Sequence, residues 1–245
     1  PLQMNDVRER LDRELLINAN LDATTLLIIK RANRVFPIIE PILQLYNVPD
    51  DFKYLAVIES GLVNAVSPAG ARGVWQFMPL TAKEKGMEVN DMVDERYHLE
   101  KSTEAACKYL LEAKAKFGSW TLAAASYNGG MTGVNKQIEM QQVSTYYDLL
   151  LNDETSRYVF RILALKEIMK NPDKFGFNVN LDEMYVNLPS KVITVDTTIS
   201  DLATFAKAQG INYKILKIHN PWLRDKKLLN QSRKKYDIVI PLSGY

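Results

Sequence analysis

Residues 53–79 read KYLAVIESGLVNAVSPAGARGVWQFMP, and this stretch decides the fold. Its first eight residues are mostly apolar and follow a Pro-Asp-Asp start signal, so we predict a helix that ends at about Ser60. From Gly61 to Met78 apolar residues are interrupted by Pro, Gly, Ser and Asn, which predicts an irregular segment. Glu59 therefore lies where an apolar helix meets a loop.

Helical spacing of apolar residues extends on the N-terminal side of this stretch. Asp6 and Glu9 form a D-x-x-E pattern, which predicts a capped first helix. Pro37 or Pro41 predicts the start of the next helix, because a proline at the first helical position loses no hydrogen bond.

The same spacing continues on the C-terminal side, up to Glu183. Ser102 predicts the cap of a long helix that stops at Gly118. Ser119 predicts the cap of a short helix halted by the two glycines at 129–130. A last long helix is predicted over 153–169.

The pattern changes after Gly176, and we place a domain boundary between 177 and 188. KVITVDT and YDIVIP alternate as strands do, and two short helical patterns lie between them. The predicted fold class is therefore mainly α, with a helical domain over 1–178 and a small α+β (βααβ) module over 185–245. Residues 1–34 form N-terminal helices and residues 35–178 the core of that domain.

The composition excludes several classes of chemistry. Of 245 residues, 47% are hydrophobic and 24% charged, which is typical of a soluble globular protein and excludes a disordered, fibrous or multi-span membrane chain. There are two histidines, His98 and His219, and one cysteine, Cys107. A zinc site or a Ser or Cys triad would need nearly all of them. We expect no metal and no cofactor, and chemistry that runs on carboxylates, hydroxyls, amides and aromatic side chains.

The net charge of +2 conceals two different surfaces. Residues 185–245 carry ten Lys or Arg and four acids, whereas the rest of the chain carries 21 basic and 25 acidic residues. The basic module could favour an anionic polymer, and the alternative is a basic face that only aids solubility.

Glu59 is the candidate acid. A carboxyl at the end of an apolar helix is desolvated, which raises its pKa toward the range that a general acid needs. The alternative is a glutamate that points to solvent. We find no second acid placed near it by the sequence; four other acids have polar-face or capping interpretations, namely Asp50, Asp51, Glu84 and Asp94.

The loop and two later helices supply further candidates. Trp75 and Phe77 could wall a groove, and the Gln76 amide both donates and accepts hydrogen bonds. The alternative is a chain that turns a corner and buries its aromatic residues.

Tyr127 and Asn128 end a helix of small residues, so their polar groups emerge where a neighbour packs closely. Tyr158 follows Glu154 by four residues and shares a helix face with it, and a core tyrosine is the alternative.

Four strings in order, ESGL, SPAGARGVWQFMP, AAASYNGG and ETSRYV, resemble the catalytic domain of soluble lytic transglycosylases, which is similar to goose-type lysozyme. The loop resembles the membrane-bound lytic murein transglycosylase D branch in particular. The resemblance covers about residues 35–175 and implies a lysozyme-like helical domain that cleaves peptidoglycan glycan strands.

The resemblance also implies residue roles. Glu59 matches the catalytic acid and base. The implied substrate-binding residues are Ser60, Gln76, Phe77, Met78, Tyr127, Asn128 and Tyr158. The implied reaction cleaves the β-1,4 bond from N-acetylmuramic acid to N-acetylglucosamine and closes the muramyl C6 hydroxyl onto C1, which leaves a 1,6-anhydro end. The alternatives are a hydrolytic muramidase of the same fold and a non-catalytic peptidoglycan-binding scaffold.

The C-terminal module resembles a LysM domain in its βααβ order and its Asn220-Pro221 step. This implies tethering to N-acetylglucosamine units, with a degenerate structural cap as the alternative. We expect peptidoglycan glycan strands as the partner, no nucleic acid, and a monomer. The expected location is the periplasm or cell envelope, with a lipoprotein anchor to the outer membrane possible outside this sequence.

Overall fold

Helices make up most of the chain up to Lys170, and a two-stranded sheet lies in the C-terminal part. The computed structural model describes residues 1–245, with the side chain of residue 22 excepted. The helices and strands are α1 (Asn5–Ala19), α2 (Asp22–Leu45), α3 (Lys53–Ser60), α4 (Pro79–Glu84), α5 (Leu99–Phe117), α6 (Trp120–Gly129), α7 (Met131–Gln141), α8 (Asp153–Lys170), β1 (Ser190–Val195), α9 (Leu202–Ala208), α10 (Tyr213–His219) and β2 (Tyr236–Pro241). The predicted fold class, mainly α with a small C-terminal βααβ module, is confirmed.

Two predicted helix starts at the N-terminal end are wrong. Helix α1 has Met4 at its N-cap and no side-chain cap, so the Asp6 and Glu9 pattern does not cap it. Pro37 and Pro41 both lie inside α2 rather than at its start.

Helix α2 continues through its two prolines because its other residues bury an apolar face. Ile39 and Leu43 are almost completely buried, at 0% and 1% exposure. Burial of such side chains contributes about 2 kcal/mol each, which offsets the hydrogen bonds that the prolines cannot make.

The start predicted at Ser102 is also wrong, because α5 already begins at Leu99. The Ser102 hydroxyl donates to the Leu99 carbonyl oxygen at 3.1 Å, so it bonds back along the helix instead of capping it. The cap at Ser119 is confirmed, since its hydroxyl oxygen accepts from the backbone N–H of Leu122.

Contacts divide the chain into two compact units. The first unit comprises residues 1–63 and 103–185, and the second comprises residues 64–102 and 186–245. The C-terminal module thus forms one unit with a segment that the sequence assigned to the helical domain. The limits 1–178 and 185–245 stay a prediction about sequence domains.

In the first unit, α8 is the central helix, with α1, α3 and α6 packed against it. Close approach of α6 is possible because residues 123–126 are small and buried. Gly129 at its end lies so close to Thr155 that an added Cβ would come within 3.2 Å of that side chain. This packing brings the ends of α3 and α6 to the first turns of α8.

In the second unit, β1 and β2 pair antiparallel, from Ser190 opposite Pro241 to Val195 opposite Tyr236. Helices α9 and α10 cover this sheet with a core that includes Leu202 and Leu216. Val93 and Tyr97 of the 64–102 segment belong to the same core.

Candidate active site

Glu59 lies in the last turn of α3, as the sequence predicted. The helix ends because Gly61 adopts a left-handed conformation (φ 61°) and its N–H donates to the Val57 carbonyl oxygen at 2.8 Å. Arg161 of α8 donates to the Ile58 carbonyl oxygen at 3.2 Å. The helix end that carries Glu59 is thus held from α8.

Tyr158 contacts the candidate acid directly. Its hydroxyl donates a short hydrogen bond to Glu59 Oε1. The Tyr158 side chain is only 1% exposed and belongs to the first half of α8, so its position is fixed by the core. Tyr158 is therefore a core residue, as the alternative stated, and it also contacts Glu59 directly.

The pKa of Glu59 is raised from its ordinary value of 4.5 to about 7. Loss of hydration at the end of the apolar helix is the largest cause. The Tyr158 hydrogen bond and the Arg161 charge act in the opposite direction, because both stabilise the carboxylate. Near neutral pH the protonated and ionised forms are therefore similarly populated, so the same group can act as an acid and as a base.

Tyr127, near the end of α6, is close enough to Glu59 to sense its charge. Burial raises the pKa of Tyr127 well above its ordinary value, and the negative charge of Glu59 raises it further. Its ring meets that of Tyr109 edge-on, with 5.2 Å between the ring centroids. Tyr109 in turn donates to the Ser126 carbonyl oxygen at 2.6 Å, which fixes the pair.

Asn128 is bonded from both ends of its amide. Its Nδ2 donates to Glu154 Oε1 at 2.9 Å, and its Oδ1 accepts from the Thr155 hydroxyl at 2.7 Å. Both partners belong to the first turn of α8. The amide plane is therefore oriented before any ligand arrives.

Glu154 is a second carboxylate near Glu59, and the sequence did not predict it. Its negative charge adds to the pKa of Glu59, although the side chain is exposed and solvent weakens the effect. The expectation that no second acid lies near Glu59 is therefore wrong. The signal was available, because Glu154 is four residues before Tyr158 and four residues place two side chains on one helix face.

Three of the four acids weighed from the sequence are held in ion pairs, and the fourth, Glu84, is exposed at the end of α4. Asp51 pairs with Lys166 at 2.7 Å, Asp50 with Lys53 at 2.7 Å, and Asp94 with Arg96 at 2.8 Å. Among the residues that the structure describes, no group of three His, Cys, Asp or Glu side chains could hold a metal ion.

Ser60 uses its hydroxyl within its own helix end. The hydroxyl donates to the Ala56 carbonyl oxygen at 3.2 Å and accepts from the Leu62 N–H at 3.1 Å. These bonds stabilise the turn that follows Glu59, and a substrate role for Ser60 stays a prediction.

Gln76, Phe77 and Met78 belong to the second unit. Gln76 has a left-handed backbone (φ 53°), and its amide nitrogen donates to the carbonyl oxygens of Ala65 at 3.0 Å and Gly73 at 2.8 Å. Phe77 is buried, whereas Met78 is 42% exposed. Five of the eight predicted site residues thus belong to the first unit, and these three belong to the second.

Comparison with known families identifies two matching segments of the chain. The family described as the transglycosylase SLT domain matches residues 36–149, which contain Glu59, the loop, Tyr127 and Asn128. Just under half of the chain therefore resembles a transglycosylase SLT domain. A second family, the soluble lytic transglycosylase C-terminal LysM-like domain, matches residues 191–244. The SLT domain and the LysM-like module predicted from the sequence are thus both confirmed.

Two curated relatives of this chain are membrane-bound lytic murein transglycosylase D from Escherichia coli strain K12 and from E. coli O6:H1. Each is 31% identical over 185 residues, which cover 71% of this chain and 39% of the relative. This chain therefore spans well under half the length of these relatives. A similar solved structure is an inactive mutant of lytic transglycosylase Slt from Pseudomonas aeruginosa, with a TM-score of 0.46 and 20% identity over 62% of this chain and 26% of that one.

Among the residues described, no helix combines the length and apolar character needed to cross a membrane.

Proposed function

We propose that this chain is a peptidoglycan lytic transglycosylase. It cleaves the β-1,4 bond between N-acetylmuramic acid and N-acetylglucosamine and leaves a 1,6-anhydromuramyl end. The observation that carries the proposal is one carboxyl, Glu59, whose pKa of about 7 suits two successive proton transfers. The match of residues 36–149 to the transglycosylase SLT domain and the names of the E. coli relatives support it.

In the first step Glu59 acts as the acid. The protonated carboxyl donates its proton to the glycosidic oxygen, and the bond from that oxygen to the muramyl C1 breaks. As the proton leaves, negative charge develops on the Glu59 carboxylate. The Tyr158 hydroxyl donates a hydrogen bond to that carboxylate and stabilises its charge. Because the hydroxyl is already oriented and little water is present, this stabilisation is stronger than it would be in water.

In the second step the same group acts as the base. The Glu59 carboxylate accepts the proton of the muramyl C6 hydroxyl while its oxygen bonds to C1. This regenerates the protonated acid and consumes no water. Because one group donates and then accepts one proton, a pKa near the working pH is favourable for both steps.

Binding of the glycan is assigned to groups whose polar atoms are already held. Tyr127 is close enough to Glu59 to sense its charge, and Asn128 is held by Glu154 and Thr155 of α8. The other members of the proposed set are Ser60, Gln76, Phe77, Met78 and Tyr158. Preorganised amides and phenols orient a sugar at little entropic cost.

The rest of the proposal concerns the setting of the enzyme. The LysM-like module tethers the enzyme to N-acetylglucosamine units, and its ten basic residues favour the carboxylates of stem peptides. The enzyme acts as a monomer in the periplasm or cell envelope, carried by an outer-membrane lipid anchor, on peptidoglycan and not on nucleic acid. It uses neither metal nor cofactor.

Hydrolysis by a muramidase of the same fold is the second candidate. Glu154 favours it, because an exposed carboxylate near the acid could activate water at the sugar, as paired carboxylates do in glycosidases. Its hydrogen bond to Asn128 instead favours an orienting role.

The product mass separates the two reactions. Purified sacculi are digested with the protein, and the fragments are analysed by mass spectrometry. Transglycosylation gives muramyl ends that are lighter by one water than those of hydrolysis.

Glu59→Gln should remove nearly all product while it leaves sacculus binding intact, and Glu9→Gln, an exposed glutamate of α1, serves as the matched control. Hydrated ends would overturn the proposal in favour of the muramidase. Sacculus binding without any product from the wild-type chain would favour a scaffold.

A further inference from the structure

Charged and aromatic side chains join the LysM-like module to the 64–102 segment inside the second unit. Lys234 Nζ lies 2.5 Å from Glu88 Oε2 and 3.3 Å from Glu95 Oε1. The Tyr236 hydroxyl lies 3.0 and 3.2 Å from the two carboxylate oxygens of Glu88. We call Glu88, Glu95, Lys234 and Tyr236 the coupling cluster.

Glu95 anchors this cluster on the segment side. It is only 3% exposed, and it also pairs with Lys101 at 2.5 Å and accepts from the Glu88 N–H at 2.7 Å. Burial alone would raise the pKa of Glu95, but these donors and Lys234 lower it below its ordinary value. Removal of one of these partners would leave a buried negative charge partly uncompensated, which costs folding free energy.

Backbone bonds and ring contacts extend the junction. Asp94 N–H donates to the Trp222 carbonyl oxygen at 2.9 Å, and Arg224 N–H donates to that of Met92 at 2.8 Å. The Arg224 guanidinium lies 4.2 Å from the centre of the Tyr97 ring. The module therefore contacts the 88–97 segment along its whole length.

Arg96 carries the connection from this segment to the loop with Gln76. Its guanidinium is buried and paired with Asp94. Its Nη1 donates to the carbonyl oxygens of Gly70 at 3.1 Å and Phe77 at 3.2 Å, which are the two ends of loop 70–77. Inside the loop, Gly73 is so close to the segment that an added Cβ would lie 1.8 Å from the Arg96 carbonyl oxygen.

Loop 70–77 needs such support. Gly73 (φ 84°) and Gln76 (φ 53°) both adopt left-handed backbone conformations, and for a glutamine this costs about 1 kcal/mol. Strained loops persist where the surroundings hold them. One side of these surroundings is Ala65, whose carbonyl oxygen accepts from the Gly73 N–H at 3.0 Å and from the Gln76 amide at 3.0 Å. The other side is the 88–97 segment, which the module contacts in turn.

We infer that the LysM-like module positions loop 70–77, so that Lys234, Tyr236 and Glu88 act on substrate binding through Arg96 without touching the glycan. The inference rests on the proposed function in one respect, that Gln76 of this loop binds the glycan. A module that positions the loop changes the affinity of the loop for sugar. A simple structural cap would change only the stability of the fold.

The test uses the full chain and a short soluble glycan of alternating N-acetylglucosamine and N-acetylmuramic acid. The glycan is too short to bind the LysM-like module and the loop at the same time, so tethering does not affect KM. Lys234→Met should raise KM about fivefold, with kcat and the pH profile nearly unchanged, since a partly exposed ion pair contributes about 1 kcal/mol. Lys234→Arg should restore KM. Lys235→Met alters the exposed neighbouring lysine and serves as the control.

Hydrogen exchange gives a readout independent of activity. The N–H groups of Arg72 and Phe77 donate across the loop to each other's carbonyl oxygens, so Lys234→Met should speed their exchange and Lys235→Met should not. If Lys234→Met does not fold, Tyr236→Phe removes two contacts to Glu88 and keeps the ring on Trp222, with the same two effects expected.

Two results overturn the inference. A lower melting temperature with unchanged KM and unchanged exchange at 70–77 assigns the module to a structural cap. An unchanged KM in Gln76→Ala removes the substrate role of the loop, while loss of product in Glu59→Gln still supports the proposed reaction. An inactive wild-type chain is instead a failure of the proposed function, and exchange at Arg72 and Phe77 still decides whether the module holds the loop.

Discussion

Tyr158→Phe removes the hydroxyl that donates to Glu59 and leaves the buried ring in place. The hydrogen bond stabilises the carboxylate, so its loss raises the pKa of Glu59 further above 7. A hydrogen bond to a charged group contributes about 1.5 kcal/mol, which corresponds to a rise of about one in pKa. The same hydroxyl stabilises the charge that develops as the proton leaves, so kcat should fall about tenfold near neutral pH.

The assay is the pH dependence of kcat/KM on a soluble glycan. Because the first step needs protonated Glu59, kcat/KM falls at high pH as this group ionises. In the variant this fall should occur at a pH about one unit higher than in the wild type. Tyr109→Phe is the matched control, because its hydroxyl donates to the Ser126 carbonyl oxygen instead. An alkaline limb that stays in place, or moves to lower pH, would refute the assignment of Tyr158 as the group that stabilises the Glu59 carboxylate.

Three further outcomes follow from the same contacts. The folded-state pKa of Glu59 is raised, so its contribution to stability is present below its ordinary pKa and is lost as the pH rises through about 7. Glu59→Gln should therefore raise the unfolding free energy at pH 8 by up to about 3 kcal/mol, seen as a higher melting temperature, and change it little at pH 4. Glu154→Gln removes a negative charge near the acid and should move the alkaline limb to lower pH, opposite to Tyr158→Phe, by a few tenths of a pH unit because Glu154 is exposed. Gly73→Ala places a Cβ against the Arg96 carbonyl oxygen and should cost several kcal/mol in chemical unfolding, whereas Gly70→Ala, with open space around it, should cost about 1 kcal/mol for its left-handed backbone alone.

The parts of the site that were predictable depend on short-range rules. Glu59 lies at the end of an apolar helix, and the upward direction of its pKa shift follows from that position because desolvation is the largest cause. Ser119 caps α6 because a serine before a helical pattern satisfies a free N–H wherever the helix packs. Neither inference needs knowledge of the tertiary structure.

The parts that failed depend on packing between distant residues. Pro37 and Pro41 favour a helix start locally, but the buried apolar face of α2 carries the helix through them. The grouping of residues 64–102 with the C-terminal module depends on pairs such as Lys234 with Glu88, which are 146 residues apart. No periodic pattern marks such a pair, and the sequence alone is equally consistent with a basic face of the module that only aids solubility.

In the proposed reaction, the balance of effects on Glu59 is what would let one carboxyl serve both proton transfers. Lost hydration and the Glu154 charge favour the protonated acid, whereas the Tyr158 hydroxyl and the Arg161 charge favour the carboxylate. Lost hydration alone would give a group that protonates the leaving oxygen poorly, because it would hold its proton too tightly. The two donors alone would give a group that is ionised before the glycan binds. Tyr158 and Arg161 lie on one face of α8, so a single helix supplies both groups that lower the pKa of Glu59. The packing of α8 against α3 would therefore set the pH range of the proposed reaction.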